Sequence, residues 1–337
     1  MMDDAASRDF VSLEHVSRRF STGTPWTDRL LTRFGRTPPP RTVYAVSDVS
    51  LTIKRGEALG LVGESGCGKS TLGRILCGIL PPSEGQATIA GEPVVVDGHK
   101  VSRRVQMVFQ NPFASLNPRL TIGDAIAEGP LAHGLVTPAQ ARDYVQGWIE
   151  RVGLPADVVQ RYPHQFSGGQ RQRVAIARAL AMQPDVLVCD EPVASLDVSI
   201  QAQILNLFLQ LREELNLTVL FISHDLGVVR HICDRVAVMY LGRIVEEADT
   251  AAIYNAPAHP YTRALLDSIP RLEPDGSEAQ FKAIAGELPS PLRPPPGCAF
   301  HERCPLAFDI CNTQVPELTP IDPSHDRRAA CHALRDK

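Results

Sequence analysis

A glycine-rich turn between a strand and a helix constrains this chain more than any other feature of its sequence. Residues 63–70 read Gly-Glu-Ser-Gly-Cys-Gly-Lys-Ser, between a short apolar strand, Leu59–Val62, and a predicted helix, Thr71–Leu80. Glycines let backbone N–H groups approach an anion, and the helix N-terminus adds its positive end. The pattern G-x-x-x-x-G-K-[ST] in this context predicts a phosphate-binding loop rather than a glycine-rich turn with an incidental lysine.

The residue types of this loop also predict how a nucleotide binds. Lys69 is expected to reach the β- and γ-phosphates, and Ser70 is expected to hold Mg²⁺. The residues of the loop that we expect to contact the nucleotide are Gly63, Glu64, Ser65, Gly66, Cys67, Gly68, Lys69, Ser70 and Thr71.

Hydrophobic patterning predicts an α/β fold. Near-continuous apolar runs at Val186–Cys189 and Val219–Ser223 are typical of parallel strands that are covered on both faces. The remaining predicted strands are Val11–Phe20 and Tyr44–Ile53, and the remaining predicted helices are 137–153, Arg171–Met182 and Ile200–Glu214. Strands that alternate with helices indicate an α/β core.

Two further motifs follow the loop in order. Residues 167–173 read Ser-Gly-Gly-Gln-Arg-Gln-Arg and open a predicted helix, and the next apolar strand ends in Asp190-Glu191. A phosphate loop alone predicts only a bound nucleotide, but the three motifs together are highly specific. From about residue 10 to about residue 250, the chain resembles the nucleotide-binding subunit of an ATP-binding cassette (ABC) transporter.

This resemblance implies a RecA-like core with an antiparallel β subdomain and a helical subdomain. It also implies roles for single residues. Asp190 supports Mg²⁺ through water, together with Ser70 and Gln110, and Glu191 polarises the attacking water. An isolated Asp-Glu pair at a strand end is commonly only a solvated pair, but Ser195-Leu196-Asp197 and His224 follow here at the family spacing. The implied catalytic set is Glu191, His224, Gln110 and Lys69.

The resemblance further implies that one chain is insufficient for ATP hydrolysis. In the family, the Ser-Gly-Gly-Gln turn of one subunit binds the γ-phosphate held by the phosphate loop of the other subunit. The residues expected to act on a partner's ATP are Ser167, Gly168, Gly169, Gln170 and Asp197. The family stacks adenine on an aromatic residue late in the first strand; Phe20 is preferred here, with Tyr44 as the competitor.

Composition bounds the rest of the prediction. A net charge of −4 gives no reason to expect nucleic acid as a partner. No apolar run approaches the ~18 residues of a membrane span, so a cytoplasmic location is expected, with membrane association through partners.

Proline is concentrated in the C-terminal part of the chain, with 13 of 28 between Pro257 and Pro323. That shift predicts a cassette at 1–252, with a surface insertion at 21–42, and a small irregular Cys/Pro-rich domain at 253–337.

The C-terminal segment narrows the resemblance. His259-Pro-Tyr-Thr-Arg-Ala-Leu-Leu and Leu292–Cys304 resemble the C-terminal extension of ATPases in oligopeptide and dipeptide importers, of the second-ATPase type. This implies a paralogous ATPase, two membrane permease subunits and an extracytoplasmic peptide-binding protein as partners, at the cytoplasmic face of the membrane. Related importers of nickel, glutathione or opines remain alternatives, as do a soluble non-transport ABC ATPase and a redox-sensing role of the C-terminal segment.

Four cysteines close the chain: Cys298, Cys304, Cys311 and Cys331. Disulfides are disfavoured in a reducing cytoplasm, and structural zinc sites bring ligands in close pairs that are lacking here. The segment resembles that of the peptide-importer family, some members of which carry an iron–sulfur cluster there, so a [4Fe–4S] cluster is expected. Zinc, with His301 or His332 as added ligands, and four free thiols remain the alternatives.

Overall fold

The computed structural model describes residues 9–21, 42–269, 284, 286–322 and 326–334. Most of the predicted insertion at 21–42 therefore lies outside the described residues.

The described residues form three sheets. The strands are β1 (Asp9–Ser21), β2 (Thr42–Lys54), β3 (Ala58–Val62), β4 (Glu84–Ile89), β5 (Glu92–Pro93), β6 (Val95–Val96), β7 (His99–Lys100), β8 (Val105–Val108), β9 (Val186–Asp190), β10 (Thr218–Ile222), β11 (Arg235–Tyr240), β12 (Arg243–Asp249), β13 (Thr319–Asp322) and β14 (Arg327–Ala329). The largest sheet has the order β13-β14-β12-β11-β3-β10-β9-β8, a second has the order β2-β1-β4-β5, and β6 pairs with β7.

The described residues contain nine α-helices, of which four overlap predicted helices and five were not predicted. The nine helices are α1 (Lys69–Leu76), α2 (Pro112–Ser115), α3 (Ile122–Ala132), α4 (Ala141–Arg151), α5 (Gly168–Leu180), α6 (Val198–Leu215), α7 (Leu226–Ile232), α8 (Thr250–Asn255) and α9 (Pro260–Asp267). The buried residues of α4 are Val145, Trp148 and Ile149, which lie one turn or less apart on the same face. Its predicted span, 137–153, was too long at both ends.

Five adjacent strands of the large sheet, β8, β9, β10, β3 and β11, are parallel. Their carboxyl ends therefore meet at one edge, which is where ligands bind in open α/β sheets. Alternate side chains of β3 enter opposite cores: Ala58 and Val62 pack on one face of the sheet, and Leu59 and Leu61 on the other. Burial on both faces explains why these strands read as continuous apolar runs.

The C-terminal segment is joined to the cassette's own sheet. Strand β14 pairs with β12, and the pairing is supported by buried charges. Glu247, which is fully buried, accepts hydrogen bonds from Arg328 of β14 at 2.5 Å and from Arg235 of β11. Arg235 also donates to Glu57 at 3.0 Å. The division into two domains near residue 252 stays a prediction.

Within the described residues, every helix is too short or too polar to cross a bilayer.

Candidate functional site

The phosphate loop runs from the end of β3 to the start of α1, as the sequence predicts. Two of its glycines are required by close backbone contacts. A Cβ atom on Gly63, whose φ is +151°, would lie 2.1 Å from the carbonyl oxygen of Met239. A Cβ atom on Gly68, whose φ is +111°, would lie 2.2 Å from the carbonyl oxygen of Ala45. Only glycine can therefore occupy these positions without moving the backbone.

Lys69 is the first residue of α1, and its side chain lies inside the loop. It is buried, and its Nζ donates hydrogen bonds to the carbonyl oxygens of Gly63 at 2.7 Å and Glu64 at 2.9 Å. The ammonium group is thus held beside the helix N-terminus, where the partial positive charge of the helix favours an anion.

Ser70 and Asp190 meet although 120 residues separate them in sequence. The Ser70 hydroxyl donates to Asp190 Oδ1 at 2.7 Å. Burial raises the pKa of Asp190, and the hydrogen bond from Ser70 offsets part of that rise. A hydroxyl and a carboxylate are the hard oxygen ligands that Mg²⁺ prefers, so this pair fits the expected ion.

Glu191 lies between Gln110 and His224 and contacts both. Its Oε2 accepts from Gln110 Nε2 at 2.7 Å, and its Oε1 lies 3.2 Å from His224 Nδ1. These residues follow β9, β8 and β10, which are neighbours in the sheet, so the parallel topology brings them together. Glu191 has a left-handed φ of +48°, which turns the chain directly after the buried strand.

The Ser-Gly-Gly-Gln turn opens α5 through a reciprocal cap. Gln170 N donates to Ser167 Oγ at 3.4 Å, and Ser167 N donates to Gln170 Oε1 at 3.0 Å. Both residues and Gly168 remain exposed, so the positive end of a 13-residue helix faces solvent. A Cβ on Gly169 would lie 2.5 Å from the Ile200 side chain, which fixes the helix against α6.

Asp197 precedes α6, and both it and the next residue face outward. Val198 is 82% exposed, which is unusual for a β-branched apolar side chain in a folded cassette. The Ser-Gly-Gly-Gln turn and Asp197 are thus both exposed on this chain, where a second chain could contact them.

The two candidates for adenine stacking lie near the same end of the β1–β2 pair. Phe20 is opposite Val43, and the guanidinium of Arg18 lies 4.8 Å from its ring centroid. Tyr44 is 37% exposed and lies in β2, next to Val43 and opposite Arg19. The choice between Phe20 and Tyr44 stays a prediction.

Two residues that sequence reasoning missed contact the phosphate loop. The guanidinium of Arg303 donates to both carboxylate oxygens of Glu64, at 2.8 and 3.0 Å. The Tyr261 hydroxyl accepts the Glu64 backbone N–H at 2.9 Å. Both lie about 200 or more residues after the loop, and no sequence pattern signals that contact.

The four C-terminal cysteines lie near one another. Cys298 N donates to the Cys311 carbonyl oxygen at 2.9 Å. Burial raises the pKa of the Cys298 thiol to about 11, and the nearby thiols of Cys311, Cys304 and Cys331 add to the rise. Among the residues that the structure describes, however, no three His, Cys, Asp or Glu side chains are gathered closely enough to hold a metal ion.

Two family models match this chain. A model of the ABC transporter family matches residues 46–194, and a model described as the oligopeptide/dipeptide transporter C-terminal region matches residues 245–311. The second match spans α9 and the Phe300–Cys304 turn, so the segment that contacts the loop is itself a family feature.

Characterised relatives are similar along most of their length. The oligopeptide transport ATP-binding protein AppF of Bacillus subtilis is 51% identical over 296 residues, which are 86% of this chain and 89% of AppF. The di/tripeptide transport ATP-binding protein DppF of Pseudomonas aeruginosa is 52% identical over 294 residues, which are 86% of this chain and 90% of DppF.

Solved structures share the cassette fold. CbiO1 of Clostridium perfringens, part of the ABC transporter complex CbiONQ, has a TM-score of 0.60 and 29% identity, covering 74% of this chain and 91% of CbiO1. The dimeric bacterial ABC transporter cassette MJ0796 also has a TM-score of 0.60 and 29% identity, covering 71% of this chain and 98% of its own.

Proposed function

The chain belongs to the ATP-binding subunits of ABC transporters, and we propose that it is the ATPase subunit that energises import of di- and oligopeptides. The observation that carries this proposal is similarity over 86% of the chain to peptide transport ATP-binding proteins. The family model described as the oligopeptide/dipeptide transporter C-terminal region, which matches residues 245–311, also supports it. The phosphate loop, Asp190 and Glu191 lie together at the carboxyl ends of the parallel strands, and they supply the groups that ATP binding and hydrolysis need.

ATP binding is assigned to the loop and its helix. Backbone N–H groups of residues 63–71 and the N-terminus of α1 cradle the phosphates, and Lys69 moves from its carbonyl partners to the β- and γ-phosphates. Ser70, Asp190 and Gln110 are the residues that would hold Mg²⁺, which neutralises charge on the phosphate oxygens when bound. The partly buried Ser70–Asp190 pair supports this assignment, because its hydroxyl and carboxylate oxygens already lie 2.7 Å apart.

Hydrolysis is assigned to Glu191, with Gln110 and His224 as its neighbours. Glu191 accepts a hydrogen bond from the attacking water and so aligns it with the γ-phosphate. Gln110 and His224 each contact one carboxylate oxygen, which holds the group in place. His224 is 58% exposed on its side chain, so it can also reach a γ-phosphate beside the loop. Phosphoryl transfer needs this alignment and charge stabilisation more than covalent chemistry.

The complete site requires a second ATPase subunit. Ser167, Gly168, Gly169, Gln170 and Asp197 are assigned to the partner's ATP, because the Ser-Gly-Gly turn offers N–H donors at a helix N-terminus and all of these residues except the half-buried Gly169 are exposed. The partner is proposed to be a paralogous ATPase, and closure of the two subunits on ATP would drive the permease subunits between inward and outward access. The chain would then lie at the cytoplasmic face of the membrane, with peptides delivered by an extracytoplasmic binding protein.

We propose in addition that Cys298, Cys304, Cys311 and Cys331 hold a [4Fe–4S] cluster. Zinc needs its ligands gathered around one ion, with sulfur atoms about 2.3 Å from the metal. A cube holds its four thiolates farther apart than one zinc ion does, so it tolerates the wide sequence spacing of these cysteines. When bound, the cluster would crosslink the C-terminal segment at four points. Protein purified without oxygen is expected to contain about four irons per chain and to absorb near 400 nm. Stoichiometric zinc, or a colourless protein without either metal, would contradict this assignment.

Reconstitution tests the transport function. The chain, its paralogous ATPase and the permease subunits are placed in liposomes with the binding protein inside or outside. Uptake of labelled di- and oligopeptides and release of phosphate are then measured together. Peptide-stimulated hydrolysis with uptake supports the proposal. Stimulation by nickel, glutathione or opines, but not by peptides, would replace the substrate class and keep the ATPase.

A further inference from the structure

We infer that two residues of the C-terminal segment, Arg303 and Tyr261, are positioning residues of the phosphate loop, which they hold through Glu64. The inference rests on the proposed ATPase function. It makes the C-terminal segment part of the ATP site, although none of its residues belongs to the motifs that define the cassette.

Arg303 holds the Glu64 side chain at two points. Nη1 donates to Oε2 at 2.8 Å and Nη2 donates to Oε1 at 3.0 Å, so guanidinium and carboxylate lie as a bidentate pair. The Arg303 side chain is 5% exposed and that of Glu64 is 26% exposed, so the pair is partly shielded from solvent. Paired, charge-assisted hydrogen bonds of this kind fix orientation as well as distance, which a lysine could not do.

Tyr261 holds the Glu64 backbone. Its hydroxyl accepts the Glu64 N–H at 2.9 Å, and its ring is fully buried between Tyr240, with centroids 4.6 Å apart, and Phe300, at 5.3 Å. Burial raises the pKa of the Tyr261 hydroxyl, so it remains neutral and keeps its place at physiological pH. A rigid aromatic cluster therefore carries the hydroxyl to one defined point on the loop.

Glu64 also contacts Lys69, and ATP binding must break that contact. The Glu64 carbonyl oxygen accepts from Lys69 Nζ at 2.9 Å, and Lys69 has to leave it to reach the phosphates. Glu64 then keeps its contacts to Arg303 and Tyr261, and its carbonyl oxygen still accepts from the backbone N–H of Cys67 at 3.3 Å. These contacts preserve the loop conformation while its lysine changes partners, which is preorganisation of an anion site.

Arg303 also compensates a charge that would oppose the ligand. Glu64 is an acid inside a loop that binds a polyanion, and like charges at short range weaken binding strongly where water is excluded. The guanidinium of Arg303 neutralises this carboxylate. Loss of Arg303 would therefore both loosen the loop and expose ATP to an unpaired negative charge.

The presentation of Arg303 depends on a short turn. Arg303 N donates to the Phe300 carbonyl oxygen at 3.0 Å, and Cys304 N donates to the His301 carbonyl oxygen at 3.2 Å. Phe300 is 1% exposed and belongs to the same hydrophobic cluster as buried residues of the cassette, such as Tyr240. The guanidinium is thus placed by a segment that is fixed to the body of the protein.

The test compares Mg-ATP affinity and thermal stability of full-length variants. Arg303→Met is expected to weaken ATP binding by about tenfold, equivalent to about 1.4 kcal/mol. Adding Glu64→Gln to that variant is expected to restore affinity to within about threefold of the parent, because a neutral amide no longer repels the phosphates. The matched control is Arg263→Met, an exposed arginine of the same segment that donates to the Pro257 carbonyl oxygen, which is expected to bind ATP as the parent does.

A second variant keeps the inference testable if Arg303→Met folds poorly. Tyr261→Phe removes only the hydroxyl and retains the ring, and it is expected to weaken ATP binding by about threefold to fivefold. Parent-like affinity in both Arg303→Met and Tyr261→Phe would overturn the inference. So would a loss in Arg303→Met that Glu64→Gln does not relieve and that tracks a lower melting temperature, because that is the signature of a purely structural arginine. Failure of the proposed ATPase function looks different, since the parent chain itself would not bind ATP.

Discussion

Replacing Phe300 with alanine tests whether the C-terminal segment and the cassette share one hydrophobic core. Phe300 is 1% exposed, and its ring centroid lies 5.3 Å from those of both Tyr240 and Tyr261. A buried aromatic side chain removes about 150–250 Å² from water. At about 25 cal/mol per Å², that burial corresponds to about 4–6 kcal/mol. Measured Phe→Ala costs of about 3–5 kcal/mol agree, so we expect Phe300→Ala to lower the free energy of unfolding by about 4 kcal/mol.

Urea denaturation of the full chain measures this effect. Circular dichroism reports the whole fold. Fluorescence of a Trp26→Phe background reports Trp148, which is buried in the same core cluster as Phe300. We expect one transition that both probes share, with a lower midpoint in Phe300→Ala and an unchanged slope. Phe300→Leu is the matched control, because it keeps most of the buried volume and should cost less than about 1.5 kcal/mol.

Two results would refute this reasoning. A loss below about 1 kcal/mol in Phe300→Ala would mean that the residue is not buried against the cassette in solution. Two separate transitions, of which only one moves in the variant, would mean that the C-terminal segment unfolds alone. The second result would favour two domains that divide near residue 252 over a single cooperative unit.

Other consequences concern the ATP site and pH. Glu191→Gln is expected to bind ATP but to lose about 10²–10⁴-fold in turnover within the assembled transporter, whereas Lys69→Ala should lose binding itself; parent-like turnover of Glu191→Gln would rule out its assigned role. Burial lowers the pKa of His259 to about 3, so this residue is neutral in the folded chain and takes up a proton on unfolding below its ordinary pKa of 6.5. Its contribution to stability is therefore complete above about pH 6.5 and falls by up to about 1.4 kcal/mol per pH unit as the pH drops towards 3. Urea midpoints at pH 7.5 and pH 5.5 measure that loss, which His259→Gln should reduce; an equal loss in the variant would assign it to other groups.

Local chemistry made much of the ATP site predictable. A phosphate loop needs glycines where its backbone passes within van der Waals contact of other chain segments, and Gly63 and Gly68 meet that need. Ser167 and Gln170 form the cap that a Ser-x-x-Gln pattern predicts at a helix start. The parallel strands could be predicted from the sequence, because burial on both faces leaves no room for polar side chains and produces continuous apolar runs.

Contacts between distant segments were decided only by the tertiary structure. Ser70 meets Asp190, and Gln110 and His224 meet Glu191, because adjacent parallel strands end at one edge of the sheet. Family resemblance implied those roles, but not these hydrogen bonds.

The contact between Arg303 and Glu64 had no signal in the sequence. An arginine near the end of a proline-rich segment is usually exposed to solvent. No neighbouring residue in the sequence indicates a partner 239 residues earlier. Its position follows from β14 joining β12 and from Phe300 entering the core, which together fold the C-terminal segment back over the loop. Sequence alone therefore determined the elements and motifs of the site, whose causes are local, while the packing of distant segments decided what holds the phosphate loop in place.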